Sequence, residues 1–174
     1  MGVIEGAQAA RPISNAGAPG AGTDEVQTIT IGGTPTGGTF RLSFDGRVTA
    51  DIPWNATNAT LIASIDAALE ALPNIGTGGV ATAVGTMTAG IGTATVTFSG
   101  TTTAKKAHPT ILVVRNDMTG TAPTISIAET TPGVDQTGRG TPKGGLLVDT
   151  TNGKLYINTG TADAPTWTVV GAQT

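Results

Sequence analysis

The chain has 174 residues, 34 of them Thr and 26 Gly, with one His, six aromatic residues and no Cys. Charged residues make up 12% and the net charge is −3, against a usual charged share of about 25%. This excludes a coiled coil, a charge-driven disordered chain, disulfide staples and thiolate metal sites.

The longest basic run is Lys105-Lys106, so neutralising the phosphates of a nucleic acid has almost nothing to work with. No apolar run reaches the ~18 residues of a membrane span. The segment Met1–Glu5 has neither the basic nor the apolar region of a secretory signal. The expectation is a protein made in a host cytoplasm, with no nucleic-acid or membrane partner. Thr- and Val-rich stretches between dense Gly punctuation read as β-structure with many turns.

Residues 1–23 show no periodicity and are mostly Ala, Gly, Pro and Ser. Such a stretch cannot bury enough apolar surface to offset its ordering entropy. It reads as a tail or as an extended arm that orders against a neighbour through Val3, Ile4, Arg11 and Ile13. From residue 24 the pattern changes. Val26 to Ile31 alternates as a strand, and Gly32 to Gly38 is a turn cluster. Phe40, Leu42 and Phe44 alternate with polar partners, and Asp45-Gly46 is the dipeptide of a tight hairpin. Residues 26–52 therefore read as a meander.

Leu61, Ile65, Ala68, Leu69 and Leu72 fall on one helical stripe, which predicts a helix near 57–72. Asn55, Thr57 or Asn58 can cap it, and Pro73 ends it. Strands follow at 79–88 and 93–99. Ile111 to Val114 reads as a buried strand, and 123–130 as another. Residues 133–142, rich in Gly and Pro, read as a linker.

In the last segment, 143–174, Asn152-Gly153 predicts a two-residue hairpin loop, pairing Thr150 with Leu155 and Val148 with Ile157. That puts Leu146, Val148, Leu155 and Ile157 on one face and Leu147, Asp149, Tyr156 and Asn158 on the other. Trp167 and Val169 start a third strand. Three strands in about 30 residues barely bury a core, so self-association through Leu146, Val148, Leu155, Ile157, Tyr156 and Trp167 is expected. A homotrimer is favoured, with a monomer as the alternative.

The fold class expected is mainly β: a β-sandwich of about seven strands over 24–132 with one α-helix, plus a small C-terminal β-hairpin module.

Chemistry is hard to find. His108 lies in a loop and reads as a plain surface residue, with no nucleophile motif nearby. Asp66 and Glu70 share a helix face that reads as the wet one. No calcium-loop spacing occurs, and no Gly-rich stretch precedes Lys-Ser or Lys-Thr at a helix start. No catalytic, cofactor-binding or metal residues are expected, and no cofactor.

Two stretches carry a resemblance. EVQTITIG (25–32), PTGGTFRLSFDG (35–46), IPWNAT (52–57) and AALEALPNIG (67–76) resemble, in that order, a β-domain frequent in structural proteins of tailed phages of actinobacteria. The segment 144–160, followed by PTWTVV (165–170), is similar to short β modules of phage fibre, spike and head-decoration proteins. The resemblance implies a virion protein without enzymatic residues. It suits a decoration or minor capsid protein that binds the major capsid protein on the capsid exterior, the arm residues Val3, Ile4, Arg11 and Ile13 supplying contacts. The alternative is a tail-tip or spike module that binds a host receptor or glycan. Sugar sites usually present several aromatic faces, and Phe40, Phe44 and Phe98 fall on inward positions, which disfavours the alternative.

Overall fold

A computed structural model describes residues 13–15 and 18–172. The chain is mainly β, with one helix and two sheets, the class the patterning predicts. It divides into two compact units. The larger comprises residues 23–134, and the smaller joins the described residues before 23 to residues 135–172.

The larger unit is organised by one long strand, β2 (Val26–Phe44). Along one side it pairs antiparallel with β7 (Leu112–Thr131), from Val26↔Thr131 to Ser43↔Leu112. Along its other side three shorter strands share its length. The strand β6 (Gly92–Thr97) pairs with Val26 to Ile31. Then β4 (Ile52–Pro53) takes Thr39 and Phe40, and β3 (Arg47–Val48) takes Ser43 and Phe44. The strand β5 (Ala81–Val84) adds to β6.

The turn cluster expected at 32–38 is not a turn. The chain runs through it without reversing, and register shifts at Gly32/Thr34 and Pro35/Gly37 absorb its glycines as bulges. Gly33 has φ 75 and Gly38 φ 85. A Cβ at either would collide with backbone of the opposing strand, at Ala122 or at Asp117 and Met118. Glycine here lets two backbones approach across a ladder, a use that composition cannot distinguish from a turn.

The two strands expected at 111–114 and 123–130 are halves of the continuous β7. The first half is not buried as expected. Ile111 is buried, but Leu112 is 60% and Val114 49% exposed, because β7 is an edge strand. The hairpin at Asp45-Gly46 is as predicted: both residues have positive φ, 45 and 75, and Phe44 pairs with Arg47.

The helix α1 (Asn58–Glu70) is shorter than the stripe suggested. Leu61, Ile65 and Leu69, each fully buried, pack into one cluster with Ile29, Phe40, Leu42, Val96 and Phe98. Neither helix end has a charge suited to the macrodipole, so packing and side-chain staples hold it. Thr57 occupies the cap position without a side-chain bond, while Asn55 Oδ1 accepts the Thr57 N–H at 2.7 Å. Asn58 instead ties the helix start to a turn, donating to Met87 O at 2.8 Å and accepting from Gly90 N at 2.8 Å. Asp66 and Glu70 are not idle on a wet face. Each accepts a backbone N–H, from Thr82 and Gly78 respectively.

In the smaller unit, β8 (Leu146–Asp149), β9 (Lys154–Asn158) and β10 (Trp167–Val169) form the expected three strands. A fourth, β1 (Ile13–Asn15), runs parallel to β8, with Ile13 opposite Leu147. The hairpin register differs from expectation by two residues: Val148 faces Leu155, and Asp149 faces Lys154. Asp149 causes the shift. Its carboxylate accepts the N–H groups of Thr151 and Asn152 at 2.9 and 3.0 Å, which stabilises a four-residue loop instead of a two-residue one. A slip of two leaves each side chain on its expected face.

The stretch read as a linker is packed into this unit: Gln136 donates to Pro165 O at 2.7 Å, and Asn158 donates to Thr141 O at 2.7 Å.

Two substitutions test this architecture. Leu69→Ala is expected to destabilise by about 2–5 kcal/mol, read as a lowered melting temperature. Gly33→Ala is expected to destabilise by more than ~1 kcal/mol, since it forces a side chain into positive φ and into the opposing strand. The same substitution at the open position Gly153, where a Cβ meets nothing within 4 Å, serves as the control for φ alone.

Candidate functional site

The residues singled out from sequence are placed as follows. Val3, Ile4 and Arg11 lie outside the described residues. Ile13 opens β1. In the smaller unit, Leu146, Val148, Leu155 and Ile157 form the half-buried face, and the opposite face is the buried one. Leu147 and Asp149 are fully buried, Asn158 is 1% exposed, and Tyr156 is turned inward at 8%. Trp167 is half-buried and donates from Nε1 to Thr137 O at 2.9 Å.

Asn158 explains why a polar face can be the inner one. Its Nδ2 donates to Thr141 O and Thr161 O, and its Oδ1 accepts from Gly160 N and Thr166 N. One side chain thus replaces solvent for four backbone groups. With β1 as a fourth strand and this hydrogen-bonded interior, the unit has less need of a partner copy than three bare strands would.

His108 is not a plain surface residue. Its ring stacks on Phe98, with centroids 4.2 Å apart, and Nε2 is 2.6 Å from Thr103 O. Its backbone N–H donates to Glu25 Oε2 at 2.6 Å. Glu25 and Gln27 are both fully buried. Gln27 Nε2 donates to Glu25 Oε1 at 2.6 Å and to Pro109 O at 3.0 Å, while its Oε1 accepts from Ile111 N at 2.7 Å. These side chains clasp the 103–111 loop to the start of β2. Sequence reasoning missed the clasp. Its signal was Gln27 at an inward position beside Ile29 and Ile31, where a polar residue must find partners.

The aromatic residues are spent in the same way. Phe40, Phe44, Phe98 and Tyr156 are buried, and Trp54 Nε1 donates to Gly90 O at 3.1 Å. A groove of about 610 Å³ lies between the 73–79 and 99–102 turns, lined by Gly, Thr, Ser, Pro and Ile without a titratable group. Among the described residues, no three His, Cys, Asp or Glu side chains are grouped to hold a metal.

What stands out on the surface is the outer face of the large sheet beside β3. Ser43 faces Val48 on one side and Leu112 on the other, so these three side chains share a row. Val48 is 50% exposed. Next along, Arg41 faces Arg115. Each Arg has its own carboxylate: Arg41 forks onto Asp51 at 2.6 and 3.1 Å, and Arg115 pairs with Asp117. The hydrogen bond from Arg41 holds the Asp51 carboxyl below its ordinary value, and the same bond raises the guanidinium above its own. In a chain this poor in charge, four charges thus lie beside the exposed Val48 and Leu112 on one face of the sheet.

The chain is 32% identical over 145 residues to the tail sheath protein of Mycobacterium phage Bxz1. The match takes in 78% of this chain and 22% of that protein. The chain thus spans about a fifth of its relative's length. A chain in a solved structure of Mycobacterium phage Patience aligns with a TM-score of 0.43 and 15% identity, over 90% of this chain and 48% of that one. No family model matches. The sequence likeness supports the coarser expectation, a structural protein of a phage virion.

The clasp yields a test. Glu25→Ala removes the acceptor of the His108 N–H and of one Gln27 Nε2 N–H, the other keeping Pro109 O, at about 1–3 kcal/mol for each group left unsatisfied. The expected result is a lower urea midpoint and faster proteolysis in the 99–111 loop. An unchanged midpoint would remove the clasp from the account of stability.

Proposed function

We propose that this chain is a non-enzymatic decoration module of the phage virion, bound to the outer face of the capsid through the major capsid protein. The partial match supports the virion part of this reading, since a module of this kind also occurs as about a fifth of a much longer virion protein. The disposition of polar side chains supports it. Buried carboxylates and amides and half-buried indoles are engaged in holding loops, and the solvent faces of the strands carry Thr hydroxyls that stay wetted without charge. In this proposal the segment before Ile13, with Val3, Ile4 and Arg11, supplies contacts to the shell, since segments that order on binding wrap large surfaces.

A second reading places the module on the tail exterior, and the likeness to the Bxz1 tail sheath protein favours it. Fractionation decides between the two. Capsids purified from a tail-defective phage are expected to carry this chain in many copies, measured by quantitative mass spectrometry. Its absence there and presence on isolated tails would replace the capsid reading with the tail one.

A further inference from the structure

We propose that two copies of this chain pair through β7, antiparallel, about a two-fold axis at Asn116, joining their large sheets edge to edge. The strand pairs with another strand on one side only; along the open edge the Asn116 side chain accepts from Met118 N at 3.2 Å and donates to Pro123 O at 3.1 Å, bonds that the facing copy replaces on pairing. Among the described residues β7 pairs with β2 alone, and 15 of its 20 residues are exposed. The unpaired N–H and C=O groups of such an edge are a template for another strand.

The second copy is argued from register and charge. A partner strand cannot use the whole edge. Beyond Gly120, Ala122 has φ 46 and Pro123 has no N–H to offer. The usable stretch therefore runs from Leu112 to Gly120, and its midpoint is Asn116. A two-fold pairing that spans this stretch must put its axis there. That register sets Arg115 of each copy opposite Asp117 of the other, giving two opposite-charge cross-strand pairs. Both side chains lie on the outer face, about half exposed at 54% and 45%. Moving the axis to Arg115 or to Asp117 would instead face Arg with Arg or Asp with Asp. Leu112 then lies beside Gly120 of the second copy, where no side chain blocks it. Val114 is the extra residue at the Arg41/Leu42 register shift. Symmetric interfaces of this kind are self-complementary by construction.

The test uses the full chain in a light-scattering concentration series. The expected mass rises with concentration to twice 17.2 kDa. Asp117→Arg places Arg opposite Arg and should weaken the dimer at least about tenfold, while the double variant Arg115→Asp, Asp117→Arg restores it. Hydrogen exchange on the unaltered chain gives a readout independent of any variant, with amides of 112–119 slowing as the dimer forms. A chain that stays at one copy throughout, a mass of three copies, or a dimer indifferent to Asp117→Arg overturns the proposal.

Discussion

The structure of the larger unit depends on one strand having to satisfy its backbone on both sides over 19 residues. A strand of that length leaves N–H and C=O groups pointing both ways, and each needs a partner when water is excluded. β7 meets one side continuously. The other side is met piecewise by β6, β4 and β3, and Trp54 contributes a further bond by donating its N–H to Gly38 O. The hairpin ends, the helix and the 99–111 loop are all placed by what they attach to on β2.

The same demand shapes the polar interior. Glu25 and Gln27, at the start of that strand, are buried because the 103–111 loop brings amides that need acceptors and a carbonyl that needs a donor. In the smaller unit Asn158 and Asp149 play the equivalent part for loops that have no strand to pair with. A chain rich in Gly and Thr has limited aliphatic volume for its many turns. It anchors those turns with side-chain amides and carboxylates in place of apolar contacts.

This arrangement bears on function through what it leaves over. Side chains that sequence reasoning tests for catalysis are occupied: His108 against Phe98 and Thr103, Asp66 and Glu70 on backbone amides. The surface features that remain distinctive are an edge strand and the charged, partly aliphatic row beside it. The sequence likeness itself supports a virion structural protein.

The helix stripe of Leu61, Ile65 and Leu69, the Asp45-Gly46 hairpin, the inward positions of Phe40, Phe44 and Phe98, and the separation of faces in β8 and β9 were all determined by the sequence alone. Each depends on local periodicity or on a turn residue whose φ is set within two positions, so no distant contact is needed to read it. Tertiary structure alone decided that Gly32 to Gly38 continues a strand, that 112 to 131 is a single exposed edge, and that Ile13 to Asn15 joins β8 from more than 100 residues away. Each of these depends on which backbone lies alongside. Gly in a bulge and Gly in a turn have the same composition, and an apolar run on an edge looks like one in a core until the neighbouring strand is known to be missing.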